Sequence, residues 1–132
     1  MAEAIDIHGS AFKNGSVTLL ARIVDEDGGT IVQADVSAIR YTVYLLDDQD
    51  ADHRTPIEGH ANASVSVAAV IYNSLQTESI WTVDQIGYNF RHALDVSVHP
   101  AFATAGRRYL VEYQLTPASG QTIIVRFRIN VV

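Results

Sequence analysis

Arg108-Tyr109-Leu110-Val111-Glu112-Tyr113-Gln114-Leu115 and Ile123-Ile124-Val125-Arg126-Phe127-Arg128-Ile129-Asn130-Val131 are two alternating runs, separated by the turn residues Pro117-Ala118-Ser119-Gly120. Period-two alternation is the mark of a half-buried strand, and the Pro/Gly-containing break between the runs makes a hairpin. Setting Leu115 opposite Ile123 pairs Tyr113 with Val125, Val111 with Phe127 and Tyr109 with Ile129 on one face. The same register sets Glu112 opposite Arg126 on the other face. Apolar pairs and an opposite-charge pair both stabilise a ladder, and a one-residue slip would destroy both sets at once.

The same alternation recurs upstream. Asn14-Gly15 is a turn dipeptide, after which Val17, Leu19, Ala21 and Ile23 point one way and Thr18 and Arg22 the other, until Asp25-Glu26-Asp27-Gly28-Gly29 reverses the chain. Ile39, Tyr41, Val43 and Leu45 mark a second strand, whose other face carries Tyr44 and Leu46 and is read as partly covered. Tyr88, Phe90, His92, Leu94, Val96 and Val98 alternate with Asn89, Arg91, Asp95 and Ser97, which predicts a long half-buried strand over 88–98 ending at His99-Pro100. Residues 47–62 read as a long polar connection, and 65–75 as a short strand followed by a brief helical turn. Trp81 and Val83 suggest a further short strand.

About seven short strands with little helix predict an all-β chain, a two-sheet sandwich of the immunoglobulin-like kind or a small barrel. At 132 residues, with 48% hydrophobic and 18% charged residues, it is one globular domain over 14–132. Residues 1–13 read as a tail or an added edge strand able to pair with a neighbouring subunit. The absence of cysteine excludes disulfides, thiolate zinc sites and cysteine nucleophiles. The opening MAEAIDIHGSAF lacks the basic and apolar regions of a secretory leader, and no run reaches membrane-span length. Cytoplasmic assembly without a membrane partner is the expectation. A net charge of −6, nine basic against fifteen acidic residues, argues against nucleic acid as a general partner.

Candidate chemistry is sparse. Asp48, Asp50 and Asp52, following Asp47, have the spacing of a calcium loop, but His53 and Gly59 stand where that motif needs Gly and Glu, so a solvated loop is the reading. His8, His53, His60, His92 and His99 show no metal-ligand spacing, and His92, on an apolar face, is read as a hydrogen-bonded core or rim histidine. No nucleophile elbow or carboxylate pair in an aromatic groove is present, so neither an enzyme nor a cofactor is expected. Trp81 reads as a core residue before a sugar platform. On the outer face of the final hairpin, Arg108, Leu110, Glu112, Ile124, Arg126 and Arg128 form an arginine–aliphatic surface. A solvated ion-paired face and a protein interface both fit it.

The stretch from Lys13-Asn14-Gly15 through Val17–Val24 to Asp25-Glu26-Asp27-Gly28 resembles a recurring opening of tailed-phage structural proteins: a short basic-x-Gly turn, a strand, then Asp-x-Asp-Gly. It looks like the N-terminal immunoglobulin-like domain of phage baseplate upper proteins, as does the closing Ala105-Gly106-Arg107-Arg108-Tyr109 strand with its Gly-containing hairpin. Tyr109 sits where the tyrosine corner of such sandwiches falls. The resemblance implies a non-enzymatic virion component, in capsid decoration, tail or baseplate, whose partners are other virion proteins and copies of itself. A carbohydrate- or cell-surface-binding module, presenting Trp81 or Tyr88 on a flat face, is the alternative.

Overall fold

A computed structural model of the chain describes residues 5–24, 28–47, 49–50, 53–77, 81, 85–118 and 121–132. Two sheets pack face to face. The larger runs β1 (Ile5–Ala11), β9 (Ile123–Val131), β8 (Arg108–Pro117), β3 (Val36–Leu46) and β4 (Arg54–Pro56), with β5 (Ala63–Val65) also on β3. The smaller is β2 (Thr18–Ala21), β7 (Tyr88–Ala93) and β6 (Ile71–Gln76). The only α-helical turn among the described residues, α1, spans Val67–Val70. The chain is thus an all-β sandwich, as the alternation required.

The β8–β9 hairpin has the register read from its two faces: Leu115 with Ile123, Tyr113 with Val125, Val111 with Phe127, Tyr109 with Ile129, and Glu112 with Arg126. Its inner face is buried at all of these apolar positions. β3 pairs on the far side of β8, setting Tyr41 beside Tyr113 and Val43 beside Val111. Across the interior, Phe90 of β7 meets Tyr113 edge-on, 4.9 Å between ring centroids, and stacks on Phe127. Offset and edge-on ring contacts add to the area buried, so this aromatic cluster locks the two sheets together. β1 extends the sheet beyond β9 and runs parallel to it, from Ile5 beside Val125 to Ala11 beside Val131.

Several expectations need correction. The strand expected over 88–98 stops at Ala93. Asp95 accepts hydrogen bonds from the Ser97 amide and hydroxyl, an Asx turn that ends the extended run and leaves Val98 exposed. Asn89, expected to face solvent, is buried. Its Oδ1 accepts the Ile23 amide proton at 2.7 Å, and its Nδ2 donates to the carbonyls of Ile23 and Ile31. It satisfies backbone groups of Ile23 and Ile31 just beyond the end of β2, where the ladder between β2 and β7 has stopped. The polar connection 47–62 contains strand β4, whose Arg54, Thr55 and Pro56 pair with Leu46, Leu45 and Tyr44.

The expected helical turn is α1, but it is followed by strand β6. Near Trp81 no strand is present among the described residues; Val83 and the 25–27 reversal lie outside them. Gly87, at φ +108°, closes the turn into β7, and a Cβ there would lie 2.4 Å from the Gln76 carbonyl oxygen, so only glycine fits.

Candidate docking face

The outer face of the larger sheet takes every second residue of β3, β8 and β9. Register places Arg40 beside Gln114, Thr42 beside Glu112 and Tyr44 beside Leu110, then Glu112 beside Arg126, Leu110 beside Arg128 and Arg108 beside Asn130. All six residues of the hairpin surface singled out in the sequence therefore share this face. Leu110 is nonetheless buried, and Glu112 is only 8% exposed, so the chain's own long side chains cover them. Ile124, Arg126 and Arg128 are half-buried, and Arg108 is exposed.

Two further arginines join from elements the sequence reading did not connect to the hairpin. Arg54 of β4 lies over the Tyr44 ring, 4.3 Å from its centroid, and its Nη1 stands 3.7 Å from Glu112 Oε2. Arg126 Nε donates to the same oxygen at 2.9 Å. Arg40 donates from Nη1 to the Asn62 carbonyl. Glu112 thus holds two guanidinium groups over an apolar strip of Tyr44 and Leu110, and the planar forks are fixed in place with further N–H donors to spare. Alternation over the three residues 54–56 is too short to mark Arg54 as part of a strand face.

Between β1 and β2, each the end strand of its sheet among the described residues, a slot of about 150 Å³ opens, lined by Gly9, Ser10, Val17, Leu19, Phe127 and Ile129.

A second cluster lies inside. His60, buried, donates from Nε2 to the His99 carbonyl at 2.6 Å, and this leaves Nδ1 to accept the Tyr41 hydroxyl proton at 2.8 Å. His92 Nδ1 is hydrogen-bonded to the Tyr113 hydroxyl, as expected for a core or rim histidine. Both imidazoles pack on the Tyr41 ring, at 5.9 and 5.2 Å between centroids. Burial, reinforced by His60, holds His92 down to about 4, and burial raises the Tyr41 and Tyr113 hydroxyls. These groups sit at hydrogen-bond positions of the core.

Of the aspartates weighed as calcium ligands, Asp48 and Asp52 lie outside the described residues, and Asp50 is exposed. The Asp47 carboxylate accepts the amides of Gln49 and Asp50 and contacts His53 Nδ1; the Gln49 amide first, then His53, holds it below the usual carboxylate range. No group of three metal-ligating side chains occurs among the described residues. Trp81 is half-buried, 5.6 Å from the Tyr88 ring, and Tyr88 is fully buried, so Tyr88 offers no sugar platform.

Tyr109 fills the position of a tyrosine corner: its hydroxyl oxygen accepts the Thr104 amide proton at 3.1 Å, five residues upstream, and its ring meets Phe102 edge-on. Comparison with family models, curated proteins and solved structures found no match.

Proposed function

We propose that this chain is a non-enzymatic assembly module of a tailed phage or phage-like particle, an immunoglobulin-like sandwich that docks on neighbouring virion proteins and on copies of itself. The observation that carries the reading is the outer face of β3, β8 and β9, where Glu112 fixes Arg54 and Arg126 over an apolar strip on a chain that is acidic overall. Charged forks immobilised before binding cost little entropy when a partner arrives, which suits a surface built for docking.

The phage-like sequence pattern supports the same reading. Its opening turn and reversal correspond to Asn14 at φ 60° and Gly28 at φ +84°, either side of β2, and its closing strand to Gly106 at φ +82° leading into β8. Strand β1 and the slot beside it add a free edge through which a neighbour's extended segment can pair. Purified particles carrying the protein in a fixed copy number are the expected finding. A product that stays monomeric, soluble and absent from particles would sink the proposal.

A further inference from the structure

We infer that the outer face of β3, β8 and β9 binds an extended acidic segment of a neighbouring protein, with carboxylates at alternate positions. This rests on the assembly reading and names the chemistry of the partner. Five arginines share the face: Arg40 and Arg54 from one side, Arg108, Arg126 and Arg128 from the hairpin. Set against the carboxylate of Glu112, they give the described side chains of the face a formal charge of +4. The whole chain is at −6, so all its other residues together carry −10.

That imbalance selects among anions. A long polyanion such as a nucleic acid, or an anionic bilayer, must lie against surface beyond the face and meets the acidic remainder of the chain there. A single protein segment ends where the arginines end. Geometry narrows the choice further. Arg126 and Arg128 are two residues apart on one strand, which sets their Cα atoms about 6.8 Å apart, the repeat of every second side chain in another extended chain. Alternate residues of an extended chain point to opposite sides, so the residues between the carboxylates turn away from the face and can be Thr or other small polar side chains.

The face spans about 20 Å along the strands and about 14 Å across four of them, roughly 300 Å². This is well below the roughly 800 Å² per partner of a stable binary interface. A single contact of this size is weak, and repetition across a particle lattice supplies the avidity. Weak single contacts also let subunits correct their placement before the lattice closes.

The test uses the full chain and three probes: a (Glu-Thr)₄ peptide, a (Lys-Thr)₄ peptide and a 20-base-pair DNA duplex. The Arg Nε–Hε and backbone amide signals are followed by NMR. Saturable shifts of Arg40, Arg54, Arg108, Arg126 and Arg128 with the Glu peptide alone, weakening steeply from low to high salt, are expected. R108Q and R128Q should each weaken the Glu peptide about threefold, the size of an exposed charge contact. They leave the Glu112 pairs untouched, and an unchanged dispersion of the amide spectrum checks that each variant is folded.

Absence of Glu-peptide shifts, unchanged affinity in R108Q and R128Q, or tighter binding of the duplex would overturn the inference. Self-association of the chain through this face with no peptide present would also overturn it, since the occupant would then be a second copy. A protein found in particles that ignores the Glu peptide defeats this inference and leaves the assembly reading standing. One that binds the peptide but is missing from particles does the reverse.

Discussion

The buried imidazole of His60 joins two loops: it takes the Tyr41 hydroxyl proton on Nδ1 at 2.8 Å and gives its own Nε2 proton to the His99 carbonyl at 2.6 Å. The loop that carries it runs beside β3, where Val43 exchanges backbone hydrogen bonds with Ile57 and His60. His60 therefore pins the segment between β4 and β5 against the segment that follows β7. Replacing it by alanine removes both bonds, strands the buried Tyr41 hydroxyl, and leaves a ring-sized void. H60A is expected to lose about 3 kcal/mol in urea denaturation. A loss under about 1 kcal/mol would show that the two loops are held by other contacts.

His92 makes stability depend on pH. Its folded value of about 4 lies below the ordinary 6.5, because burial first and His60 second disfavour the imidazolium. Above pH 6.5 the ring is neutral both folded and unfolded, and its contribution is complete. As pH falls from 6.5 toward 4, the unfolded chain takes up a proton that the folded chain refuses, and stability declines. The loss amounts to about 2 kcal/mol once partial exposure is discounted. NMR titration of the ring should give a midpoint near 4, and H92F should flatten the decline. An ordinary midpoint near 6.5 would contradict the packing of His92 on Tyr41 and Tyr113.

Asn89 makes three buried hydrogen bonds to the backbone of Ile23 and Ile31. At about 1 kcal/mol each, with an added penalty for stranded backbone groups, N89L is expected to cost about 3–4 kcal/mol. Amide exchange should localise the damage: the Ile23 proton, bonded to Asn89 Oδ1, should lose protection beyond the fall in global stability, while Tyr113 and Val125 fall only with it. Uniform loss across both sheets would mean that Asn89 supports the whole fold.

On the outer face, Glu112 is covered and accepts from Arg126 at 2.9 Å, with Arg54 farther away at 3.7 Å. R126Q leaves this covered carboxylate with the weaker partner only, and a loss of about 1–2 kcal/mol is expected. E112Q removes the charge and retains an acceptor, so a smaller loss is expected. If the two substitutions cost the same, the pair contributes through shape alone.

The fold was legible wherever alternation ran long with unlike faces. The β8–β9 register could be paired residue by residue, because each face had its own chemistry to satisfy. Alternation failed where local hydrogen bonding overrode it: the Asp95–Ser97 turn ends β7 although the pattern continues to Val98. β6 was hidden because it pairs β7 only at Ile71 and Gln76, around an irregularity, and its burial does not alternate. The hairpin part of the docking face was visible in the sequence. Arg40 and Arg54 were not, since one lies in a strand read for its inner face and the other in a three-residue edge strand inside a polar segment.

The measurement that bears most directly on the assembly reading is photo-cross-linking within purified particles, with a photoreactive residue placed at the exposed Gln114 on the outer face and, as control, at the exposed Ser74 of β6. The account expects a discrete cross-link from position 114 to an acidic segment of one neighbouring virion protein, and none from position 74. No cross-link from 114 in particles that contain the protein, or particles that lack it, would contradict the account.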